Sequence, residues 1–560
     1  LDEGFLLGII VITITNRRFK MPHHTVWSVF QAVAEEHAHR TALIYLGTEY
    51  SYGELCGLAE RVAGGLYRLG VRKGERVMVY LPHCPQWVIS WFAIQRLGAV
   101  AVPVTHFYGT EDLSYIREDS GSKVIFCCEA NFPNVEPLLA KGDFEKVVFA
   151  NTADHVPWWK ELFFESVSKA KATQRPEGTI GFDELVVQGG EVPKVELEEG
   201  DLAEILYTSG TTGLPKGVPF SHRVFVWSTR VERDMVAKVV PRGKAVILQG
   251  SPLYHILGQA QGLAGLLAGD ALVLLPRMDI EDVLAHIDRY RVTNVFGTPT
   301  FYRMMLEHPK VDKYDLSSLK WCYSGGDYLP PALIERWKAK TGKYIYQGLG
   351  ATEACGGITM TPGDEEIPEG SLGRVLPSWQ VKLVDPDTME EVTLPGQGEL
   401  LISSDHMIEG YWNKPDETSK SFVQLGGRLW YRTGDIVRID DKGWVFFVDR
   451  SGDIIKHKGY RVVPSKVERV LTEHPAVAAA CVIGIPDPEV GEKIKALVIR
   501  KTDGPEVNPE GLIEWCKQKL APYEVPHWVE FRETLPVSPS GKILRRRVRM
   551  EEREKAKASK

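Results

Sequence analysis

The chain has 560 residues, 44% of them hydrophobic, so it can bury several cores and is too long for one ordinary domain. A formal net charge of -7 gives no overall electrostatic reason to bind nucleic acid, and none is expected as a partner. Eight cysteines without a CxxC pair indicate neither a zinc site nor a disulfide framework, and they fit a reducing cytoplasm.

Residues 5–14 are a short apolar run with Asp2 and Glu3 ahead of it and Arg17-Arg18 behind. A bilayer span takes about 20 residues, and a secretory signal carries its charges on the other side. Residues 1–20 are therefore expected to be an N-terminal extension or peripheral strand, with no integral membrane span. From residue 25 the pattern reads helix then strand to Leu46, and a second helix opens at Tyr50 and runs to Leu69. Strands follow at 76–81, 100–104, 123–127 and 146–150, with a helix at 87–97, a rhythm that predicts a doubly wound, largely parallel sheet. Residues 155–194 have no clear period and read as surface helices and loops.

The apolar run 202–207 predicts a buried strand, and alternation resumes through 245–248, 271–275 and 294–296 with a helix at 280–290. Two subdomains of one kind fit this. Beyond Gln380, short alternating strands at 398–403, 436–439 and 444–448 suggest a small antiparallel barrel or sheet. The turn cluster Asp449-Arg-Ser-Gly-Asp453 marks a break before an α+β unit, with a helix near 467–471 and a strand pair at 477–484 and 495–499.

The stretch Tyr207-Thr-Ser-Gly-Thr-Thr-Gly-Leu-Pro-Lys-Gly217 reads as a phosphate loop. Gly210, Gly213 and Gly217 let the backbone approach an anion, Thr208, Ser209, Thr211 and Thr212 offer hydroxyls, and Lys216 adds a mobile positive charge. It is not a Walker A loop, because Pro215 stands where that loop's second glycine would be and Gly217 replaces its Ser/Thr. The stretch resembles the signature of the adenylate-forming superfamily, which contains acyl-CoA synthetases, adenylation domains and luciferases. The resemblance runs over residues 25–550.

What the resemblance implies is specific. The fold would be α/β: a large N-terminal domain of two doubly wound subdomains plus a small β-barrel over residues 21–449, a hinge at 450–452, and a mobile α+β C-terminal domain over 453–560. The reaction would activate a carboxylic acid with ATP and Mg²⁺ to acyl-AMP and pyrophosphate, then transfer the acyl group to coenzyme A. In Tyr346-Gln-Gly-Leu-Gly-Ala-Thr-Glu-Ala354, Glu353 would share Mg²⁺ with phosphate oxygens and Thr352 would bond the α-phosphate. Gln347, Gly348 and Leu349 would face adenine, although many relatives place an aromatic residue at Leu349. Ser324-Gly-Gly-Asp-Tyr-Leu329 would be the other adenine wall through Gly326 and Asp327, with Gly325, Gly326 and Gly350 letting the acyl chain pass.

Asp435 and, 15 residues later, Arg450 would bind the ribose, with Phe447 near the base or simply in a core strand. Lys542, in Pro536-Val-Ser-Pro-Ser-Gly-Lys-Ile-Leu-Arg545, would bridge the attacking carboxylate and the α-phosphate; Thr352 and His255 complete the catalytic set. Gly452 would be the hinge, where relatives usually have Asp or Lys. Lys456, Lys458, Gly459, Tyr460 and Arg461 would come over the site in the thiol step, to meet phosphates or link the domains. His255, in Pro252-Leu-Tyr-His255, occupies a position where amino-acid-activating relatives have Asp, which argues for an acid without an α-amine. Residues 256–267 would line an apolar pocket or form a buried helix.

A medium- or long-chain fatty acid is the first expectation and an aryl acid the second. Acyl transfer to a carrier protein and oxidation of the adenylate remain alternatives, as does a catalytically silent ATP sensor, against which Glu353, Asp435, Arg450 and Lys542 together argue. The acid and CoA are the expected partners, and a homodimer is left open.

Overall fold

Two seven-stranded sheets grow out of the strand–helix alternation. The computed structural model describes residues 24–153, 174–208, 214–326, 329–458, 460–487, 489–502, 504–537 and 543–558. One sheet runs Ile180–Gly181, Lys146–Ala150, Val124–Cys128, Arg76–Val79, Val100–Pro103, Leu202–Thr208 and Lys216–Ser221, parallel except for the last pair. Its central strands are apolar runs because helices cover both faces. Ile180–Gly181 and helix Phe182–Val187 lie in a segment that the sequence shows only as surface helices and loops; residues 154–173 lie outside the described residues.

The second sheet runs Ile345–Gln347, Trp321–Ser324, Asn294–Gly297, Val246–Leu248, Ala271–Leu274, Thr41–Tyr45 and Thr48–Ser51, again parallel but for its final hairpin. Helix Pro85–Leu97 packs against Arg76–Val79 and Val100–Pro103 and is buried almost all round, with Trp87, Trp91 and Phe92 at 0% exposure. Such an all-round apolar helix belongs in the middle of a large core; Phe92 stacks on Phe30, ring centroids 3.7 Å apart.

A six-stranded antiparallel sheet follows. Its longest strand, Arg428–Ile439, contains Tyr431–Asp435, which the sequence suggests would precede a strand. The pairing with Gly396–Ser403 skips there, and Gly434 takes φ +71°, so Thr433–Asp435 is a bulge inside the strand. The C-terminal unit has its own sheet, with Val477–Asp487 against Gly491–Arg500 and Trp528–Phe531 parallel to the latter, and its own core around Val467, Leu471, Val482 and Ala496. The expected α/β class and its large and small parts are therefore present. No helix among the described residues is long and apolar enough to cross a membrane.

Candidate active site

The phosphate loop joins two antiparallel strands, Leu202–Thr208 and Lys216–Ser221, with Thr208 opposite Lys216. Ser209, Gly210, Thr211, Thr212 and Gly213 lie outside the described residues. Lys216 is not the mobile charge that the sequence suggests: it is 7% exposed, its Nζ lies 2.7 Å from the Glu417 carboxylate, and it sits 4.7 Å above the Tyr411 ring. Lys216 and Lys420 hold the Glu417 carboxyl below its usual range. The Tyr411 hydroxyl donates to Glu353 Oε1 at 2.7 Å. One tyrosine thus joins the loop's lysine to the expected metal ligand. Burial and the Glu353 charge push its phenol up.

The same segment clamps the loop's flanks. Trp412 N donates to Gly217 O at 2.8 Å, Lys414 pairs with Asp119 at 2.6 Å, and Asp119 also accepts from Tyr207 OH at 2.7 Å. Tyr411, Glu417 and Asp119 escape a reading of the sequence because each is far along the chain from what it holds.

Thr352 and Glu353 follow strand Ile345–Gln347 and the tight residue Gly348, where a Cβ would collide with Thr359 O and lie 2.7 Å from Tyr323 OH. They open the 3-10 turn Thr352–Ala354, closed by Cys355 at φ +52°. Leu349 is 9% exposed and packed into the core, and Gln347 Nε2 donates to Ser371 O at 3.0 Å. Among the described residues no group of three metal-ligating side chains gathers. One carboxylate from Glu353 is nevertheless what Mg²⁺ can use when phosphates and water complete its shell.

Gly325 and Gly326 follow strand Trp321–Ser324; Gly326 takes φ +85° beside open space, and a Cβ on Gly325 would meet Leu257 at 3.4 Å. Asp327 lies outside the described residues. Gly350 pairs with Gly357 in a two-stranded hairpin. His255 is exposed and caps Ile256–Gly258, which continues through a π-turn at Gln259–Leu263 into Ala264–Leu266. A π-turn inside a helix often marks a functional wall.

Asp435 and Arg450 face each other across neighbouring strands and form an ion pair, Oδ1 to Nε 2.7 Å. Their 15-residue spacing is the length of the hairpin between them. Phe447 lies in strand Val445–Arg450, but at 38% exposure it is not a core residue.

Gly452 is exposed with no neighbour near its missing side chain, and its carbonyl accepts from Arg549 Nη1 at 3.2 Å. Next to it, Asp453 pairs with Arg545 and Arg549, each at 2.6 Å, and Arg545 also reaches Glu468 at 2.7 Å and Asp449 at 3.6 Å. Lys456 pairs with Asp387 at 2.9 Å and Arg461 with Asp385 at 3.1 Å, so in this conformation the loop links the two units. Lys458 takes φ +50°, and Tyr460 is exposed and stacks on Tyr523, centroids 4.3 Å apart. Gly459 and Lys542 lie outside the described residues.

The pattern of the family described as "AMP-binding enzyme" matches residues 30–412, and that of the "AMP-binding enzyme C-terminal domain" matches 466–542. The long-chain-fatty-acid–CoA ligase of Bacillus subtilis (strain 168) is 32% identical over 546 residues, covering 95% of this chain and 96% of the relative. The 4-coumarate–CoA ligase 2 of Oryza sativa subsp. japonica is 33% identical over 90% of this chain and 88% of its own. Among solved structures, an anthranilate CoA ligase in complex with anthranoyl-AMP superposes with a TM-score of 0.82 at 27% identity, covering 95% of this chain and 98% of that one. The chain belongs to the AMP-binding enzyme family. It is an AMP-forming acyl-CoA ligase, using ATP and CoA.

Proposed function

We propose that this ligase activates a medium- or long-chain fatty acid, with Glu353 holding Mg²⁺, Asp435 and Arg450 the ribose, and the hydroxyls and glycines of the Thr208–Lys216 loop the β- and γ-phosphates, Lys216 bracing the loop through Glu417. The observation that carries the assignment is the convergence of Lys216 and Glu353 on Tyr411, which supports one polyphosphate site between the loop and the Thr352–Ala354 turn. Bound Mg²⁺ would neutralise charge on the phosphate oxygens. The acid's carboxylate attacks the α-phosphorus, pyrophosphate leaves, and Lys542 stabilises the charge that both anions bring together. Thr352 would orient the α-phosphate, and His255, Gly325, Gly326 and Gly350 would line the path of the acyl chain.

For the second step, residues 453–560 turn about Gly452, and the Lys456–Arg461 segment leaves Asp385 and Asp387 to approach CoA. The thiol, losing its proton, attacks the acyl carbonyl, and AMP leaves as the thioester forms. Similarity to the Bacillus subtilis ligase supports the fatty-acid reading, and similarity to the coumarate ligase supports an aryl acid as the second. The eight free cysteines, seven of them buried, support a reducing cytoplasmic setting. ATP–pyrophosphate exchange with fatty, branched and aromatic acids, followed by CoA, tests the whole reading. Exchange and thioester formation with fatty acids are expected; exchange with no acid overturns it.

A further inference from the structure

Two carboxylates in this molecule accept from a buried phenol, and they are used differently. Asp119 Oδ2 takes the Tyr207 hydroxyl at 2.7 Å while its Oδ1 takes Lys414 Nζ at 2.6 Å. Both oxygens are engaged, and the group is a structural clasp between strand Leu202–Thr208 and the chain at Lys414. Glu353 Oε1 takes the Tyr411 hydroxyl at the same 2.7 Å, but among the described residues no donor or cation reaches Oε2. One oxygen is anchored and the other is left for something outside the protein.

The anchor itself is held firmly. Tyr411 is 9% exposed, and its backbone N donates to Thr418 Oγ1 at 3.0 Å, from the short helix Pro415–Ser421 that also carries Glu417. Its ring meets Phe422 edge-on, centroids 5.8 Å apart. Lys216 Nζ lies 4.7 Å from the ring centroid, and a cation drawn to the ring face polarises the phenol towards donation. Burial and the Glu353 charge keep that phenol protonated near neutral pH. The same two causes push up the Tyr431 phenol, so the strand that carries Asp435 also comes up to this carboxylate.

A glutamate carboxylate otherwise turns easily, because its last torsion is broad, and ordering a long side chain costs entropy. A hydrogen bond made in advance removes part of that cost. Groups that hydrogen-bond a metal-binding carboxylate in this way are worth about 10- to 100-fold in metal affinity.

We propose that Tyr411 is a positioning residue for the metal: its hydroxyl fixes the Glu353 carboxylate through Oε1, leaves Oε2 free to ligate, and so sets the affinity for the divalent cation that accompanies ATP. The inference rests on Glu353 as the metal ligand proposed above and adds the residue that orients it.

The test titrates Mn²⁺, followed by its electron paramagnetic resonance, into the full chain with α,β-methylene-ATP, from which pyrophosphate cannot leave. Tyr411→Phe should raise the Kd for Mn²⁺ by about tenfold or more. In ATP–pyrophosphate exchange with hexadecanoate, raising Mg²⁺ should restore the variant's rate, with the KM for the acid unchanged at saturating Mg²⁺. A merely structural tyrosine would give a loss that Mg²⁺ does not rescue, and that result overturns the proposal, as does an unchanged Kd. If Tyr411→Phe does not fold, Glu353→Asp keeps the charge but draws it back from the phenol, and a Kd equal to that of the wild type there overturns it. A Kd raised by Glu353→Ala but unmoved by Tyr411→Phe sinks this inference alone, whereas a Kd unmoved by Glu353→Ala removes the metal-ligand reading as well.

Discussion

Lys216 and Glu417 are partners inside the large unit, their side chains 9% and 19% exposed, whereas Lys456 and Asp387 meet across open surface at 62% and 48%. The distances are alike, 2.7 and 2.9 Å, but the energetics are not. Breaking a buried pair leaves a stranded charge and costs about 3–5 kcal/mol, while an exposed pair contributes about 0–1 kcal/mol and weakens with salt. Under the proposed function, the difference would suit a phosphate loop that stays braced and a docking of the C-terminal unit that can be released.

The largest expected effect tests whether the fixed grip can act alone. Lys542→Ala should slow acyl-AMP formation by about 10²- to 10³-fold while sparing thioester formation from supplied acyl-AMP; normal adenylation would remove the lysine from the mechanism. Next, Glu417→Ala should lower unfolding stability by about 3 kcal/mol and raise the KM for ATP. An unchanged denaturation midpoint would show that the buried pair behaves like a surface one, and the contrast would collapse.

Asp385→Ala with Asp387→Ala should shift the ratio of the two half-reaction rates by up to about fivefold, the scale of ~1 kcal/mol, and added salt should reproduce the shift in the wild type. A salt-insensitive ratio would break the other side of the comparison. The smallest effect is on pH dependence. Burial raises the Glu204 carboxyl from 4.5 to about 8, so between those values the folded chain keeps a proton that the unfolded chain releases. Stability should therefore fall as pH rises through that window. Glu204→Gln should flatten the fall in melting temperature from pH 5 to 8, leaving the weaker contribution of Glu232 in the same direction; an equally steep fall would exclude Glu204.

The alternation of elements and the phosphate loop were legible because they are local: apolar strands such as Val124–Cys128 and a glycine-rich run announce themselves over a few residues. The pairing of Asp435 with Arg450 was half-legible, since a hairpin turns a fixed spacing into a contact. Tyr411 was not, because its link to Glu353 spans 58 residues with no periodic signal. Nor was the bulge at Gly434, where a Thr-Gly-Asp turn pattern is absorbed into a long strand. Glu204 did leave a trace, as the one acid in the apolar strand Leu202–Thr208. Glu232 left less, since a charged residue in an amphipathic helix reads as surface until packing shows its direction.

Arg545, caught among Asp449, Asp453 and Glu468, has a mechanical meaning as well. It stands three residues after Lys542 in the chain, a tether of at most about 10 Å. Under the proposed rotation and the proposed role of Lys542, the arginine would work as a crankpin, and the swing that carries the thiol-step loop inward would also withdraw the lysine. Loosening that pin, with the joint untouched, would let the two strokes of the cycle fall out of phase.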